Sequence, residues 1–289
     1  MKKIAIVTDS NSGFTPKEAK ELGITVIPMP FNINGHEYYD GVDLTTEEFY
    51  KHLETDATIS TSMPSIGAVM DTWTELLKEY DEVVYIPMSS GLSSSCHSAM
   101  SIADDFDDKV FVVDNQRISV TMRFSVYDAL ELIKAGKSAK EIKEILEEQK
   151  LEASIYIMVD TLKYLKAGGR VTPAAAAIGT VLNIKPVLQI QGEKLDAYSK
   201  CRGIKQAKKI MLQAMTDDLE KRFPGCIDNG TIRLAVVHTQ NEEAAIDFKN
   251  EILEIYPNAD IIIDQLSLSV SCHIGPGALA IACAKKVEF

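Results

Sequence analysis

Val83-Val84-Tyr85-Ile86-Pro87-Met88-Ser89-Ser90-Gly91-Leu92-Ser93-Ser94-Ser95 is the stretch on which the fold of this chain turns. It starts as a short apolar run suited to a buried strand, and such runs set between helical patterns indicate a parallel sheet. Hydroxyl side chains follow, with one glycine to permit a tight backbone path. Residues 96–106 then read as a helix with Ala99, Met100, Ile102, Ala103 and Phe106 on one broad face. A strand that ends in small hydroxyls at a helix N-terminus suits an anion, because free backbone N–H groups and the positive end of the helix dipole converge there. A helix cap alone accounts for one serine, whereas five of the seven positions from Ser89 to Ser95 are serine.

Upstream, residues 4–8 read as a buried strand that ends at Asp9-Ser10-Asn11-Ser12-Gly13. Thr15 caps the next helix, Pro16–Leu22, with Pro16 in its first turn. This is a βα start without G-x-G-x-x-G, so a dinucleotide site lacks its main support. Residues 25–31 read as a second strand and 36–43 as a turn-rich hairpin; Thr45 then opens a helix that carries Phe49, Tyr50 and Leu53 inward. Ser60-Thr61-Ser62-Met63-Pro64-Ser65 is a second hydroxyl cluster. Met63 is biased to an extended conformation by Pro64. Ser65 caps a helix expected over 66–80, which leaves Thr61 and Ser62 without a capping role. Downstream lie a strand at 110–114, a helix at 124–135 and a charged helix at 139–149, capped by Ser138 and read as a solvated face. The repeated βα order predicts a parallel sheet.

From Ser154 the character changes. A strand at 155–159 leads to Gly168-Gly169, which end a short helix and present Arg170 at a turn. A small-residue helix is expected at 174–182, and paired strands at Lys185–Ile190 and 194–198. Lys200-Cys201-Arg202-Gly203 precedes a helix at 204–223, and strands at Ile232–His238 and 260–265 flank a helix at Glu242–Ile255. This mixture predicts an α+β domain, giving a parallel α/β domain at 1–153 and an α+β domain at 154–289. Ser271-Cys272-His273-Ile274-Gly275-Pro276-Gly277-Ala278 is followed by an expected apolar helix at 279–284. That places His273 one turn before a helix N-terminus, with glycines that let backbone approach a ligand. His36, His52, His97 and His238 read as structural.

At 289 residues the chain is long for one core and suits two domains. Its 42 acidic against 30 basic residues, a formal charge of −12, argue against nucleic acid or anionic membrane as main partner. The apolar stretch at the start breaks too soon for a signal peptide, and the run at 171–182 is too short to span a membrane and contains Pro173 and Gly179. Five scattered cysteines offer no close pair for zinc and predict a reduced, cytoplasmic protein.

Val7-Thr8-Asp9-Ser10, Thr61-Ser62-Met63-Pro64-Ser65, Ser90-Gly91-Leu92-Ser93, Leu165-Lys166-Ala167-Gly168-Gly169-Arg170 and His273-Ile274-Gly275-Pro276-Gly277 together resemble the DegV family, in order and over essentially the whole chain. Its members are bacterial fatty-acid-binding proteins, some of them the binding subunit (FakB) of fatty acid kinase. The resemblance implies a non-enzymatic carrier that binds a fatty acid of the palmitate, stearate or oleate class, with no other cofactor. The carboxyl group would lie at the domain interface on Thr61 and Ser93, with Ser62 and Ser94 adjacent and His273 and Gly275 near the head group. The acyl chain would enter a tunnel in one domain. In kinase-linked members a separate kinase subunit phosphorylates the carboxylate, and Arg170 and Arg202 would then face the partner or the phosphate.

Three departures stand out: Ser94-Ser95 where the family usually has Gly-Thr, Gly13-Phe14 where it has Asp-Leu, and Thr121 and Arg123 where it has glycines. If the 119–123 segment borders the acyl tunnel, a shorter or differently shaped pocket is expected. Two other readings remain open. Ser93, an acid such as Asp160 or Asp264, and His273 follow the chain order of an α/β-hydrolase triad, although Gly91-Leu92-Ser93-Ser94-Ser95 lacks the glycine that G-x-S-x-G needs. A binding module for another anionic, phosphate-containing ligand is the third.

Overall fold

The computed structural model describes residues 2–55, 57–178 and 184–288. Two units divide the chain: Met1–Leu151 with Ser267–Ser269 and Val287–Phe289, and Glu152–Leu266 with Val270–Lys286. In chain order the first unit holds Ile4–Asp9 (β1), Pro16–Leu22 (α1), Thr25–Ile27 (β2), Pro30–Ile33 (β3), His36–Tyr39 (β4), Thr46–Glu54 (α2) and Ile59–Thr61 (β5). Ile66–Leu76 (α3), Glu82–Ile86 (β6), Ser95–Ala103 (α4), Val110–Val112 (β7), Ser119–Lys134 (α5) and Ala139–Glu148 (α6) follow.

The main sheet of this unit is parallel throughout, in the order β2-β1-β6-β7. Side chains alternate across a strand, and the two faces sort accordingly. Ile6, Val84 and Ile86 join Met122, Val126, Leu132, Ile142 and Leu146 from α5 and α6. Ala5, Val7, Val83 and Tyr85 join Val69 and Trp73 of α3 and Cys96 and Ala99 of α4. Both faces being covered explains the apolar runs at 4–7 in β1 and 83–86 in β6. Because β2 lies on one side of β1 and β6 on the other, strand order reverses between β1 and β6, and open α/β sheets bind ligands at the carboxyl ends of such strands.

The strand expected at 25–31 is two strands in two sheets. Pro28 and Pro30 cannot donate to a continuing ladder, so β2 stops at Ile27 and β3 joins a separate antiparallel sheet, β4-β3-β5. Asn34 (φ 52°) and Gly35 (φ 86°) close the β3–β4 hairpin with two left-handed residues, the pattern of a type I′ turn. Helix α3 ends at Leu76 rather than at 80, and α4 gives way to a 3-10 turn, Asp104–Phe106. Helix α5 begins at Ser119, five residues ahead of expectation, because Val120, Met122 and Phe124 are all buried. Nor is α6 only a solvated face: Lys143 donates to the Val112 carbonyl at 2.5 Å and Glu147 accepts from the Asp114 N–H at 3.0 Å.

Thr121 and Arg123 turn inward to local partners. The Thr121 hydroxyl donates to the Ile118 carbonyl at 2.8 Å. Arg123, 7% exposed, donates to the Ser12 and Gly13 carbonyls and to Glu18, and its guanidinium lies 4.6 Å from the Phe14 ring centroid. Arg123 thus braces the turn after β1. We expect Arg123→Ala to lower stability by roughly 2–3 kcal/mol, since two carbonyls lose charged donors and a large side chain is removed; urea unfolding measures this, and a loss under about 0.5 kcal/mol would contradict the bracing role.

The second unit holds Ala153–Met158 (β8), Lys163–Gly168 (α7), Pro173–Ile178 (α8), Lys185–Ile190 (β9), Asp196–Cys201 (β10), Ile204–Lys221 (α9), Ile232–His238 (β11), Glu242–Ile255 (α10), Ile261–Gln265 (β12), most of Leu268–Ile274 (α11), and Leu279–Lys285 (β13). Its sheet runs β10-β9-β8-β13-β11-β12, antiparallel except for the β11–β12 pair. The end of the helix expected at 174–182 lies outside the described residues.

One expectation is overturned here. Residues 279–284 form no helix but the strand β13, between β8 and β11. Leu279, Ile281 and Cys283 enter the core under α9 and α10, while Ala280, Ala282 and Ala284 take the other face and are also buried. An apolar run buried on both faces carries no period that separates strand from helix. All five cysteines are free and buried. Among the described residues no helix is long and apolar enough to cross a membrane.

Candidate functional site

In the first unit the site is built at the carboxyl ends of β1 and β6. Asp9 closes β1, and its carboxylate accepts from the Met88 N–H at 2.8 Å, the Asn11 N–H at 2.9 Å and the Asn11 side-chain amide at 2.8 Å. Burial pushes its pKa up to about 6. The turn after β6 is thereby tied to the end of β1. It closes on itself through the Ser89 carbonyl, which accepts from the Leu92 and Ser93 N–H groups. Ser89 Oγ accepts from the Gly91 N–H and Ser93 Oγ from the Ser95 N–H, both at 3.2 Å.

Ser94 sits at the N-cap of α4 and makes no side-chain capping bond. Its hydroxyl donates instead to the Met63 sulfur at 3.7 Å, as does that of Ser98 at 3.4 Å. The two hydroxyl clusters of the sequence therefore meet, with Met63 as their link. Thr61 ends β5 opposite Phe31, the Ser62 N–H donates to the Pro30 carbonyl at 3.3 Å, and Ser65 caps α3 as expected. Met63 also lines a small cleft with Pro64, Val69, Tyr85, Ser95 and Ile102 among others. Ser95 Oγ is buried there without a hydrogen-bond partner.

A second buried carboxylate, Asp40, accepts from the Ser10 hydroxyl at 3.1 Å and from the Leu268 and Ser269 N–H groups at 3.2 and 3.4 Å. Asn11 Oδ1 accepts from the hydroxyls of Ser267 and Ser269. Two N–H groups at the start of α11 thus find acceptors far away in sequence. Burial raises the Asp40 pKa as well. Asp40 and Asn11 did not stand out in the sequence. Asp9 did, as part of Val7-Thr8-Asp9-Ser10, but its hold on Met88 did not.

In the second unit His273 occupies the last turn of α11, so it ends a helix rather than preceding one. The correction follows from β13: Gly275-Pro276-Gly277 leads into a strand, and no helix dipole points at His273 from that side. The imidazole lies so close to Gly168 that a Cβ there would overlap its Nδ1. Arg170 donates to the Gly168 carbonyl. Burial, with the Arg170 charge second, lowers the His273 pKa to about 4. Gly275, φ +76°, lies against the Tyr164 ring. Thr239, which the sequence did not reveal, clamps this turn: its hydroxyl donates to the Gly275 carbonyl at 2.7 Å and accepts from the Ala278 N–H at 2.9 Å, and its carbonyl accepts from the Gly277 N–H at 2.8 Å. Its signal was only its place just after β11. Arg202 is exposed in the turn between β10 and α9, where its N–H donates to Gln206 at 2.9 Å; no described contact joins it to His273 or Arg170.

The His273 pKa lies below its unfolded value of 6.5, so the stability gained from a neutral imidazole is complete above that pH and is lost as pH falls through about 4. Asp9 runs oppositely: its stabilisation is present below 3.8 and lost as pH rises through about 6. The stability difference between parent and His273→Gln is therefore expected to shrink by on the order of 3 kcal/mol between pH 7 and pH 4. Denaturant melts at both pH values measure it, and a constant difference would contradict the buried neutral imidazole.

A family model described as the uncharacterised DegV family matches residues 3–286. Protein DegV of Bacillus subtilis is 34% identical over 285 residues, covering 96% of this chain and 98% of its own. A DegV family protein from Thermus thermophilus, described for its fatty acid binding, superimposes with a TM-score of 0.89 at 30% identity, covering 98% of this chain and 99% of its own. The structure of DegV from Bacillus subtilis, described as a fatty acid binding protein, gives 0.85 at 32% identity, covering 99% of this chain and 100% of its own.

Proposed function

Because the chain belongs to the DegV family, we propose that it binds a long-chain fatty acid of the palmitate, stearate or oleate class and acts as a carrier. The observation that carries this reading is the meeting of Thr61-Ser62-Met63 with Ser93-Ser94-Ser95 at the carboxyl ends of the first unit's parallel strands. A carboxylate is costly to bury unpaired, so it needs several donors. Thr61, Ser62, Ser93 and Ser94 are proposed to supply them, with His273 and Gly275 contributing toward the head group. An acyl chain of about 16 methylenes at ~0.8 kcal/mol each supplies on the order of 12 kcal/mol before the costs of association.

Presentation of the bound acid to a fatty acid kinase is the finer part of the proposal, with Arg170 and Arg202 as cations for the partner or the acyl phosphate. A hydrolase draws less support. The Arg170 cation acts on His273 and lowers its pKa, whereas the carboxylate of a triad holds its imidazole ready to take up a proton. Asp160, one candidate acid, is paired with Lys185.

Thr61→Ala and Ser93→Ala are each expected to weaken palmitate binding by roughly 1–3 kcal/mol. Titration calorimetry measures this, and parental affinity in both variants would remove these hydroxyls from the site.

A further inference from the structure

We propose that Met63 is a reversible oxidation site that controls how strongly the first unit's hydroxyls hold an anionic head group. The inference rests on the fatty-acid reading above and adds regulation to that site. Met63 is half-buried, as are Met70, Met88 and Met100. Met29, Met122, Met158, Met211 and Met215 are buried. The Met63 backbone is fixed on both sides, by the Ser62 N–H bond to the Pro30 carbonyl and by buried Pro64. Its sulfur is thereby held where two hydroxyls, Ser94 and Ser98, donate to it.

A thioether is a weak acceptor. In the reduced protein Ser94 therefore keeps a partner that a ligand carboxylate readily displaces. Reaction with hydrogen peroxide changes this. A sulfur lone pair forms the S–O bond as the O–O bond breaks; the departing hydroxide takes the proton of the transferred oxygen and leaves as water. Sulfur is oxidised by two electrons and the peroxide is reduced. The sulfoxide oxygen is a strong acceptor, so it retains the Ser94 and Ser98 hydroxyls and withdraws them from a carboxylate. It also adds a polar atom to a cleft otherwise walled largely by Pro64, Val69 and Ile102. Thiol-dependent methionine sulfoxide reductases reverse the change.

The test uses the full chain, dilute hydrogen peroxide, peptide mass mapping, palmitate titration, and repair with methionine sulfoxide reductase and dithiothreitol. The expected result is sulfoxide at Met63, about a tenfold rise in the palmitate Kd, and recovery after repair. Met63→Leu is expected to keep its own untreated affinity through the same exposure. Met63 remaining a thioether while Met70, Met88 or Met100 oxidises would overturn the proposal. So would Met63 sulfoxide with unchanged affinity, or the same loss in Met63→Leu. Untreated protein that fails to bind palmitate overturns the fatty-acid reading itself, and this inference with it.

Discussion

Trp73→Ala is expected to cost about 3–5 kcal/mol, the range for emptying a buried indole site. Trp73 is 0% exposed and meets Tyr85 and Phe106 edge-on, with ring centroids 5.6 and 5.4 Å away. It fills the space between α3 and the β6 face, beside the cleft that Tyr85 lines. Its indole N–H is buried without a partner, so Trp73→Phe removes a desolvated donor together with volume. That substitution is expected to cost at least 1 kcal/mol less than alanine. Urea midpoints of the two variants check the order; a phenylalanine variant as unstable as the alanine one would contradict the filling of this site by ring volume.

Gly275→Ala is expected to cost about 3 kcal/mol and to lower fatty acid affinity as well. Two causes add. The left-handed backbone at φ +76° penalises any Cβ by roughly 1–2 kcal/mol. The new methyl would also overlap the Tyr164 ring, and overpacking of this kind costs roughly 1–3 kcal/mol. The Thr239 hydroxyl bond to the Gly275 carbonyl resists a shift of the turn. Thermal melts and palmitate titration measure the two effects. Wild-type stability in Gly275→Ala would contradict both causes, since a Tyr164 that swings aside removes only the overlap and leaves the backbone penalty. Lost stability with intact binding would remove Gly275 from the ligand site.

What the sequence made legible was local. The strand, turn and helix of 83–95 follow from an apolar run, one glycine and a cluster of serines. The capping boxes at Thr15, Thr45 and Ser138 are complete within four residues each. Expectation failed where the deciding partner is distant or the pattern carries no period. β13 became a strand because sheet neighbours bury both its faces, which its run of small apolar residues does not reveal. The break within 25–31 was legible in Pro28 and Pro30 but was outweighed by the surrounding apolar residues.

Two of the departures from the family pattern proved to be one contact: Arg123 binds the Gly13 carbonyl and stacks on Phe14. The hold of Asp40 on Leu268 spans 228 positions, beyond any local pattern. The hydroxyl clusters at 60–65 and 89–95 were visible separately. Their meeting through Met63 was not, since a thioether between serines leaves no periodic or spacing signal.

The central claim is that this chain carries one fatty acid, and native mass spectrometry of the purified protein, followed by solvent extraction, tests it most directly. The predicted result is a mass excess equal to one acyl chain of the palmitate, stearate or oleate class per protein, which extraction releases as the free acid. Protein that is empty as purified, and remains empty after incubation with palmitate, stearate and oleate, would contradict it.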